Sequence, residues 1–239
     1  LLTIIIPTLN ESKSGYLKKL LDAYKPTPEI EIVCVDGGSL DNTLELIKVA
    51  GVRLIETGLA SRAARLNVGI QEATYEMVLL NHPRSLVEIA GIKALIMANK
   101  HLSWGAFTHR FDNSHPLLRF TSWYSNYMRG DKRGIYYLDH CIFANKQLLL
   151  EVGLLPDIDI FEDTALCLRL NKKAKGIRLP YISETSAIRF ETAGIYSQAI
   201  KNQYIKWLYY FNRSDKKMNS MYEKGLELNT EYEANKKQK

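Results

Sequence analysis

The sequence predicts an α/β fold built on a mostly parallel mixed sheet sandwiched by helices. Apolar β-rich runs alternate with helix-period segments through residue 100, as expected of strands joined by crossover helices. The first run, Leu2 to Ile6, is continuous rather than alternating, which fits a strand covered on both faces. Short polar clusters follow directly on apolar runs, and in open parallel sheets the ligand crevice lies beyond the carboxyl ends of the strands.

Pro7 closes the first strand, and a helical pattern follows over Tyr16 to Tyr24. Pro26 and Pro28 punctuate before a second strand, Ile30 to Val35. Asp36-Gly37-Gly38-Ser39 then leads to a helix over Asn42 to Val49, a third strand over Val52 to Glu56 and a helix over Ser61 to Ala73. Met77 to Leu80 reads as the fourth strand and Leu86 to Lys100 as its helix. After Trp104 the pattern is less regular, with strands expected at 104–109, 135–144 and 186–190. Helices are expected at 116–128, 145–152 and 163–173, and a long amphipathic one over Ile195 to Phe211. Residues 1–212 read as one domain and 213–239 as a polar extension, frayed from about Asn229.

With 239 residues and 46% hydrophobic content the chain can bury one sizeable core. No stretch approaches the roughly 18 consecutive apolar residues of a membrane-spanning helix. Leu1-Leu2-Thr3-Ile4 has neither a basic leader nor a cleavage site, so a cytoplasmic location is expected, and Leu1 in place of an initiator Met implies a trimmed start. Cys34, Cys141 and Cys167 are odd in number and set in apolar runs, which points to buried thiols rather than disulfides or zinc. The net charge is +6; residues 213–239 hold seven basic and five acidic groups, leaving a surplus of four on the body. Such a field suits an anionic ligand, while no nucleic-acid-binding signature or zinc-finger spacing accompanies it.

The polar clusters after strands are Pro7-Thr8-Leu9-Asn10-Glu11, Asp36-Gly37-Gly38-Ser39, Asn81-His82-Pro83-Arg84-Ser85 and Leu138-Asp139-His140. A carboxylate there can accept from a base imide or a ribose hydroxyl, and adjacent glycines admit close backbone approach. Turn chemistry and helix capping are the bland alternative for Asp36, Ser39 and Asp41.

IIIPTLNE at 4–11, VDGGSLDNT at 35–43, SRAARLNVGIQEA at 61–73 and FEDTALCLRL at 161–170 stand in this order and at fitting gaps. Together they resemble family 2 glycosyltransferases of the GT-A (nucleotide-diphospho-sugar transferase) fold. YLDHCIFANKQLLLEVGLLPD at 137–157 and AIRFETAGI at 187–195 look like a compact bacterial subgroup of that superfamily, extending the resemblance over nearly the whole chain. A Rossmann dehydrogenase is disfavoured, because no GxGxxG follows the first strand.

The resemblance implies that Pro7, Thr8, Asn10, Glu11, Asp36 and Gly38 hold the nucleoside, with Asp36 on the base or ribose. It implies that Arg62 and Asn67 line the donor pocket, Arg62 near a helix start that already favours phosphate. The alternative for Arg62 and Arg65 is a solvated helix face. Asp139 and His140 match a place where relatives have an acidic residue near the sugar or acceptor. Glu162-Asp163 corresponds to the acidic pair whose aspartate acts as general base on the acceptor hydroxyl in an inverting displacement. Their structural alternative is acidic residues favouring the first turn of a helix.

The departure lies at 81–85, where relatives have an aspartate-bearing HADT or DxD motif that shares a divalent cation with the diphosphate. This chain reads NHPRS, with Arg84 where the aspartate should be. Two unit charges about 4 Å apart at an effective dielectric of 20 interact by roughly 4 kcal/mol, so Arg84 should repel Mg²⁺ or Mn²⁺ and attract a diphosphate. The expectation is donor binding with weak or no metal dependence, His82 being a hydrogen-bonding loop residue.

Arg129-Gly130-Asp131-Lys132-Arg133-Gly134 reads either as a mobile loop closing over the donor phosphates or as a solvated turn. Tyr196, Tyr204, Trp207, Leu208 and Phe211, with Lys201 and Lys206, form an aromatic-rich helix. Packing of this helix on the core or on a second subunit is the first expectation for it, peripheral attachment to a membrane the second. The leading reading is a glycosyltransferase moving a sugar from a nucleotide-diphosphate sugar to an unidentified glycan, lipid or small-molecule acceptor. A degenerate relative that binds nucleotide or glycan without turnover is the alternative. A nucleotidyltransferase comes third, since PTLNES lacks a glycine-rich phosphate loop.

Overall fold

The computed structural model describes residues 1–211 and 213–223. Its eight strands are β1 (Leu2–Thr8), β2 (Ile30–Asp36), β3 (Arg53–Glu56), β4 (Met77–Leu80), β5 (Ser85–Val87), β6 (Trp104–Phe111), β7 (Ile142–Asn145) and β8 (Ile177–Thr185). They form one sheet in the order β3-β2-β1-β4-β7-β6-β8-β5. Pairs β3/β2, β2/β1 and β1/β4 are parallel, as the βαβ rhythm predicts. Beyond β4 the sheet turns mixed: β7 runs antiparallel to both β4 and β6, β8 is parallel to β6, and β5 is antiparallel to β8.

The helices are α1 (Tyr16–Ala23), α2 (Thr43–Ala50), α3 (Arg62–Glu72), α4 (Ile89–Ala98), α5 (Pro116–Trp123), α6 (Lys146–Glu151), α7 (Glu162–Asn171), α8 (Ile188–Ala193), α9 (Ile195–Tyr210) and α10 (Asp215–Glu223). Every residue of β1 is buried. Ile5 faces a core that includes Leu66 and Ile70 of α3 and Leu166 of α7, whereas Ile4 and Ile6 face the opposite core with Leu17 and Leu20 of α1 and Ile92 of α4. The continuous apolar run thus serves two cores at once. Cys34, Cys141 and Cys167 are free and buried, as expected, and burial pushes the Cys141 and Cys167 thiols up to about 12.

The structure departs from the sequence reading in four places, three of them after Trp104. Residues 135–144 are not one strand: Leu138–His140 form a 3-10 turn and only Ile142–Asn145 pair. The strand expected at 186–190 is helical, since α8 begins at Ile188, and pairing ends at Thr185 in β8. Residues 85–87 are strand rather than the start of a helix, because β5 finds a partner in β8. Residues 124–131 continue α5 as a π-helix, so the basic segment around Arg129 is neither a loop nor a solvated turn.

The aromatic face of α9 departs from one of its expected roles, packing on the core. Tyr196, Tyr204, Trp207 and Phe211 are exposed instead of packed on the core; Ile205, with Leu208 beside it, turns inward toward Ile160, Phe161 and Met218. Among the described residues no helix is long and apolar enough to cross a membrane. Of the polar extension, Asp215–Glu223 is α10, and the stretch from Asn229 lies outside the described residues.

Strand direction decides what reaches the functional edge of the sheet. The carboxyl ends of β1, β2 and β4 lie at one edge, bringing Thr8, Asp36 and Asn81 there. β7 is reversed, so the residues before it, Leu138 and Asp139, arrive at the same edge. β6 and β8 run with β4, which delivers His109 and Thr185 by their carboxyl ends, and reversed β5 delivers Arg84 by its amino end.

Candidate active site

The loops after β1 and β2 are stapled to each other before any ligand arrives. Asp36 is fully buried, and its Oδ1 accepts from the backbone N–H groups of Gly38 and Ser39 at 2.8 and 2.7 Å. Its Oδ2 accepts from the Thr8 hydroxyl at 2.8 Å and the Ser39 hydroxyl at 2.6 Å. A carboxylate offers about four lone-pair sites, so all of them are filled from within the loop. Asn10 sits at φ 53 and crosses over: its N–H donates to Ser39 Oγ, and its Oδ1 accepts from the Leu40 N–H. The Glu11 N–H donates to Thr43 Oγ1 at 2.8 Å. Gly37 is obligatory, because a Cβ there would stand 2.6 Å from the Leu59 carbonyl oxygen.

Arg84 projects from the turn after β4 and donates to Glu11 Oε2 at 2.8 Å, with both side chains buried. Burial pushes the Glu11 carboxyl up even though Arg84 opposes this. The Arg84 N–H donates to His82 Nδ1 at 3.1 Å. Burial, with the charges of Arg62 and Arg84, drives the His82 imidazole well below its ordinary range and keeps it neutral.

Across the cleft, Phe161 adopts φ 64 immediately before α7, a left-handed conformation costly for a bulky residue. It packs against Tyr209 with ring centroids 4.5 Å apart. The turn presents Glu162 and Asp163 on the first turn of α7. Glu162 Oε1 accepts from Arg62 Nε at 2.5 Å, while its Oε2 is buried without a hydrogen-bond partner. Asp163 Oδ2 accepts from the Leu138 N–H at 2.8 Å and Oδ1 from the Thr164 N–H at 2.6 Å. Burial first, and then the neighbouring Glu162 charge, raise the Asp163 carboxyl to about 7.

Arg84 and Asp163 line one cavity of about 190 Å³, together with Arg62, Asp139, Arg129 and Lys206. Asp36 lies behind it, linked through Thr8 and the β1 loop, and is not part of its wall. Burial works against the charge on Asp139, yet His109, His140 and Arg129 together hold its carboxyl at about 2. His109 Nε2 stands 3.6 Å from Asp139 Oδ2, and burial holds His140 down at about 3.

Two expectations change. Asn67 does not present its amide to the cleft: Nδ2 donates to the Leu155 carbonyl at 2.9 Å and Oδ1 accepts from the Leu155 N–H at 3.0 Å, anchoring the segment that leads into α7. Arg62 and Arg65 are not on a solvated face, for Arg62 pairs with Glu162 and Arg65 is buried with donors to the carbonyls of Ser61 and Ala60. Sequence reasoning missed His109 and Tyr137 and left Arg189 without a role. His109 lies near the carboxyl end of an apolar strand, the signal that marked the other clusters, and Arg189 lies within the 187–195 segment.

Among the described residues no group of three or more His, Cys, Asp and Glu side chains could hold a metal ion. The residues at 82–84 do not fit a hard dication: they offer no carboxylate, and the Arg84 guanidinium, bound to Glu11, sets a positive charge beside the one imidazole.

Residues 3–82 match the family model described as Glycosyl transferase family 2. A putative glycosyltransferase TagX of Staphylococcus aureus is 36% identical over 76 residues, which are 30% of this chain and 21% of the relative. The aligned stretch is thus a minor part of that relative's length. Among solved structures, residues 1–349 of S. aureus TarS superpose with a TM-score of 0.64 at 16% identity, over 98% of this chain and 73% of that one. TarS 1–349 has also been solved in complex with UDP-GlcNAc, at the same TM-score and identity. The mannosyltransferase PcManGT of Pyrobaculum calidifontis, in complex with GDP-Man and Mn²⁺, gives 0.63 at 17% identity over 95% and 70% of the two chains. The chain therefore has the GT-A fold, and the match to the glycosyl transferase family 2 model lies in its amino-terminal third.

Proposed function

We propose that the protein transfers a sugar, with inversion, from a nucleotide-diphosphate sugar to an acceptor hydroxyl, with Asp163 as general base. The observation that carries this reading is the presence of a buried carboxyl near pKa 7 on the same cavity wall system as Arg84 and Arg62. A base near neutrality combines availability with driving force, because the attacking hydroxyl becomes strongly acidic only as the new bond forms. The nucleoside belongs over the stapled Thr8–Glu11 and Gly37–Ser39 loops, whose fixed backbone needs little reorganisation on binding. The departing diphosphate then meets the guanidinium edge. Arg84, held in place by Glu11, supplies fixed positive charge where relatives carry a metal carboxylate. Donor binding is accordingly independent of Mg²⁺ and Mn²⁺.

The test is isothermal titration of UDP, GDP, CDP and dTDP, each with Mn²⁺ and with EDTA. One of the four is expected to bind with the same affinity under both conditions; strict metal dependence refutes the role of Arg84. The mutual satisfaction of Arg84 and Glu11 favours a second reading, nucleotide binding without turnover. Donor consumption by the wild type and its loss in Asp163→Asn decide between the two.

A further inference from the structure

Four charged groups of the cleft already neutralise one another: Arg62 meets Glu162, and Arg84 meets Glu11. Arg129 and Lys206 are placed differently. Neither makes an ion pair with a carboxylate among the described residues, and both reach the cavity. The Arg129 guanidinium lies 3.3 Å from the centroid of the Tyr137 ring and donates to the Ser125 hydroxyl, while its Nε is buried without a hydrogen-bond partner. Lys206 comes from α9, its ammonium 5.9 Å from the centroid of the same ring. Burial, and then the charge of Arg129, hold the Lys206 ammonium down at about 8, although Asp139 pulls it the other way. Two cations beside one ring, one of them with an unused donor, are costly in a partly desolvated cavity, and an anion bound to both offsets that cost.

The position relative to Asp163 says which anion. Tyr137 is followed by Leu138, whose N–H binds the Asp163 carboxylate at 2.8 Å, so the aromatic ring and the base share one wall. The nucleotide loops lie at the ends of β1 and β2, behind Arg84. The cation pair is thus on the side from which the attacking hydroxyl approaches.

We propose that Arg129 and Lys206, set about the Tyr137 ring, form a subsite for a phosphate group carried by the acceptor. This inference rests on the transferase reading, and it narrows the acceptor to a phosphate-bearing alcohol. A guanidinium and an ammonium together match the several oxygens of a tetrahedral phosphate, and the ring fixes the plane of the guanidinium.

The experiment begins by measuring UDP (or whichever nucleoside diphosphate binds best) on the wild type. Glycerol 3-phosphate and glycerol are then titrated into the nucleotide-saturated protein, and sedimentation is run with phosphatidylglycerol and phosphatidylcholine vesicles. Glycerol 3-phosphate or the phosphatidylglycerol vesicles are expected to bind where glycerol and phosphatidylcholine do not. The free phosphate ester binding alone assigns a soluble acceptor, and the vesicles binding alone assign a lipid headgroup. Lys206→Met and Arg129→Met should each weaken that binding by roughly tenfold or more and change nucleotide affinity by less than about twofold. Lys206 sits on a half-exposed helix face, so its variant keeps the test open should Arg129→Met fail to fold.

No phosphate-specific binding to a wild type that binds nucleotide overturns the subsite and leaves the transferase reading standing. Parallel loss of nucleotide affinity in both variants also overturns it, by assigning the two cations to the donor diphosphate. A wild type that binds none of the nucleotides fails at the first step and takes down both.

Discussion

The Asp163 carboxyl sits one residue from Glu162 and is raised to about 7 chiefly by burial. As a base it acts only when ionised, so transfer should climb with pH through about 7 and level off above. Asp163→Asn should lower the rate by roughly 10²- to 10⁴-fold. Stability runs the other way. A carboxyl whose folded pKa exceeds its ordinary 3.8 holds its proton longer in the folded chain, so its contribution is complete below about pH 4 and lost as pH rises through about 7. Asp163→Asn should therefore melt at a higher temperature than the wild type at pH 8 and near the wild-type temperature at pH 4, by scanning calorimetry at both. The FEDTALCLRL segment singled out Asp163, which the structure sets on the cavity wall; its partners were not legible. The pairing of Arg62 with Glu162 spans 100 residues, and only the packing of α3 beside α7 creates it.

At the scale of elements, α3 lies unusually close to the sheet because position 69 has no side chain. A Cβ on Gly69 would stand 2.4 Å from Ile5 Cγ2 and 3.2 Å from Val35 Cγ2. Gly69→Ala should cost about 1–3 kcal/mol through overpacking, more than the roughly 1 kcal/mol of helix propensity it gains, as read from urea unfolding. The parallel half, β1 to β4, could be read from the chain because each strand there is a compact apolar run bounded by turn residues. The mixed half could not. β5 is only Ser85–Val87 and exists because β8 lies beside it, and β8 carries Pro180 and a register shift opposite Phe107/Thr108 of β6. Neither offers a periodic signal. The turn chemistry of 138–141 likewise hid inside an apolar stretch, with Cys141 at φ 54 ending the 3-10 turn.

Over the whole molecule the cavity has a rigid floor and a lightly fastened cover. The floor is the edge of an eight-stranded sheet; α9 and α10 contribute Ile205, Lys206 and Tyr222 from above. α10 is attached through a small apolar cluster of Ile160, Phe161, Ile205 and Met218, and α9 also sets Ile195 and Ala199 on Leu118, Ala187 and Phe190; both clusters are far smaller than the two cores that flank the sheet. Met218→Asp should detach α10 while the main melting transition stays within a few degrees, on the order of what a local cluster contributes. Limited proteolysis should then release α10 faster from the variant than from the wild type. A fall of the main transition by tens of degrees would show that the cover is part of the global core.

Reversal of β7 has a broader consequence. The stapled loops of the proposed nucleotide site precede it, after β1 and β2, whereas Asp163 and most of what stands beside it, Arg62 apart, come from beyond residue 100. The parts of the sheet before and after residue 100 are hydrogen-bonded along two short seams, Met77–Leu80 against Ile142–Asn145 and Ser85–Val87 against Ser183–Thr185. A graft along those two seams could exchange the proposed acceptor side wholesale while the pre-wired loops of Thr8, Asp36 and Ser39 are inherited intact.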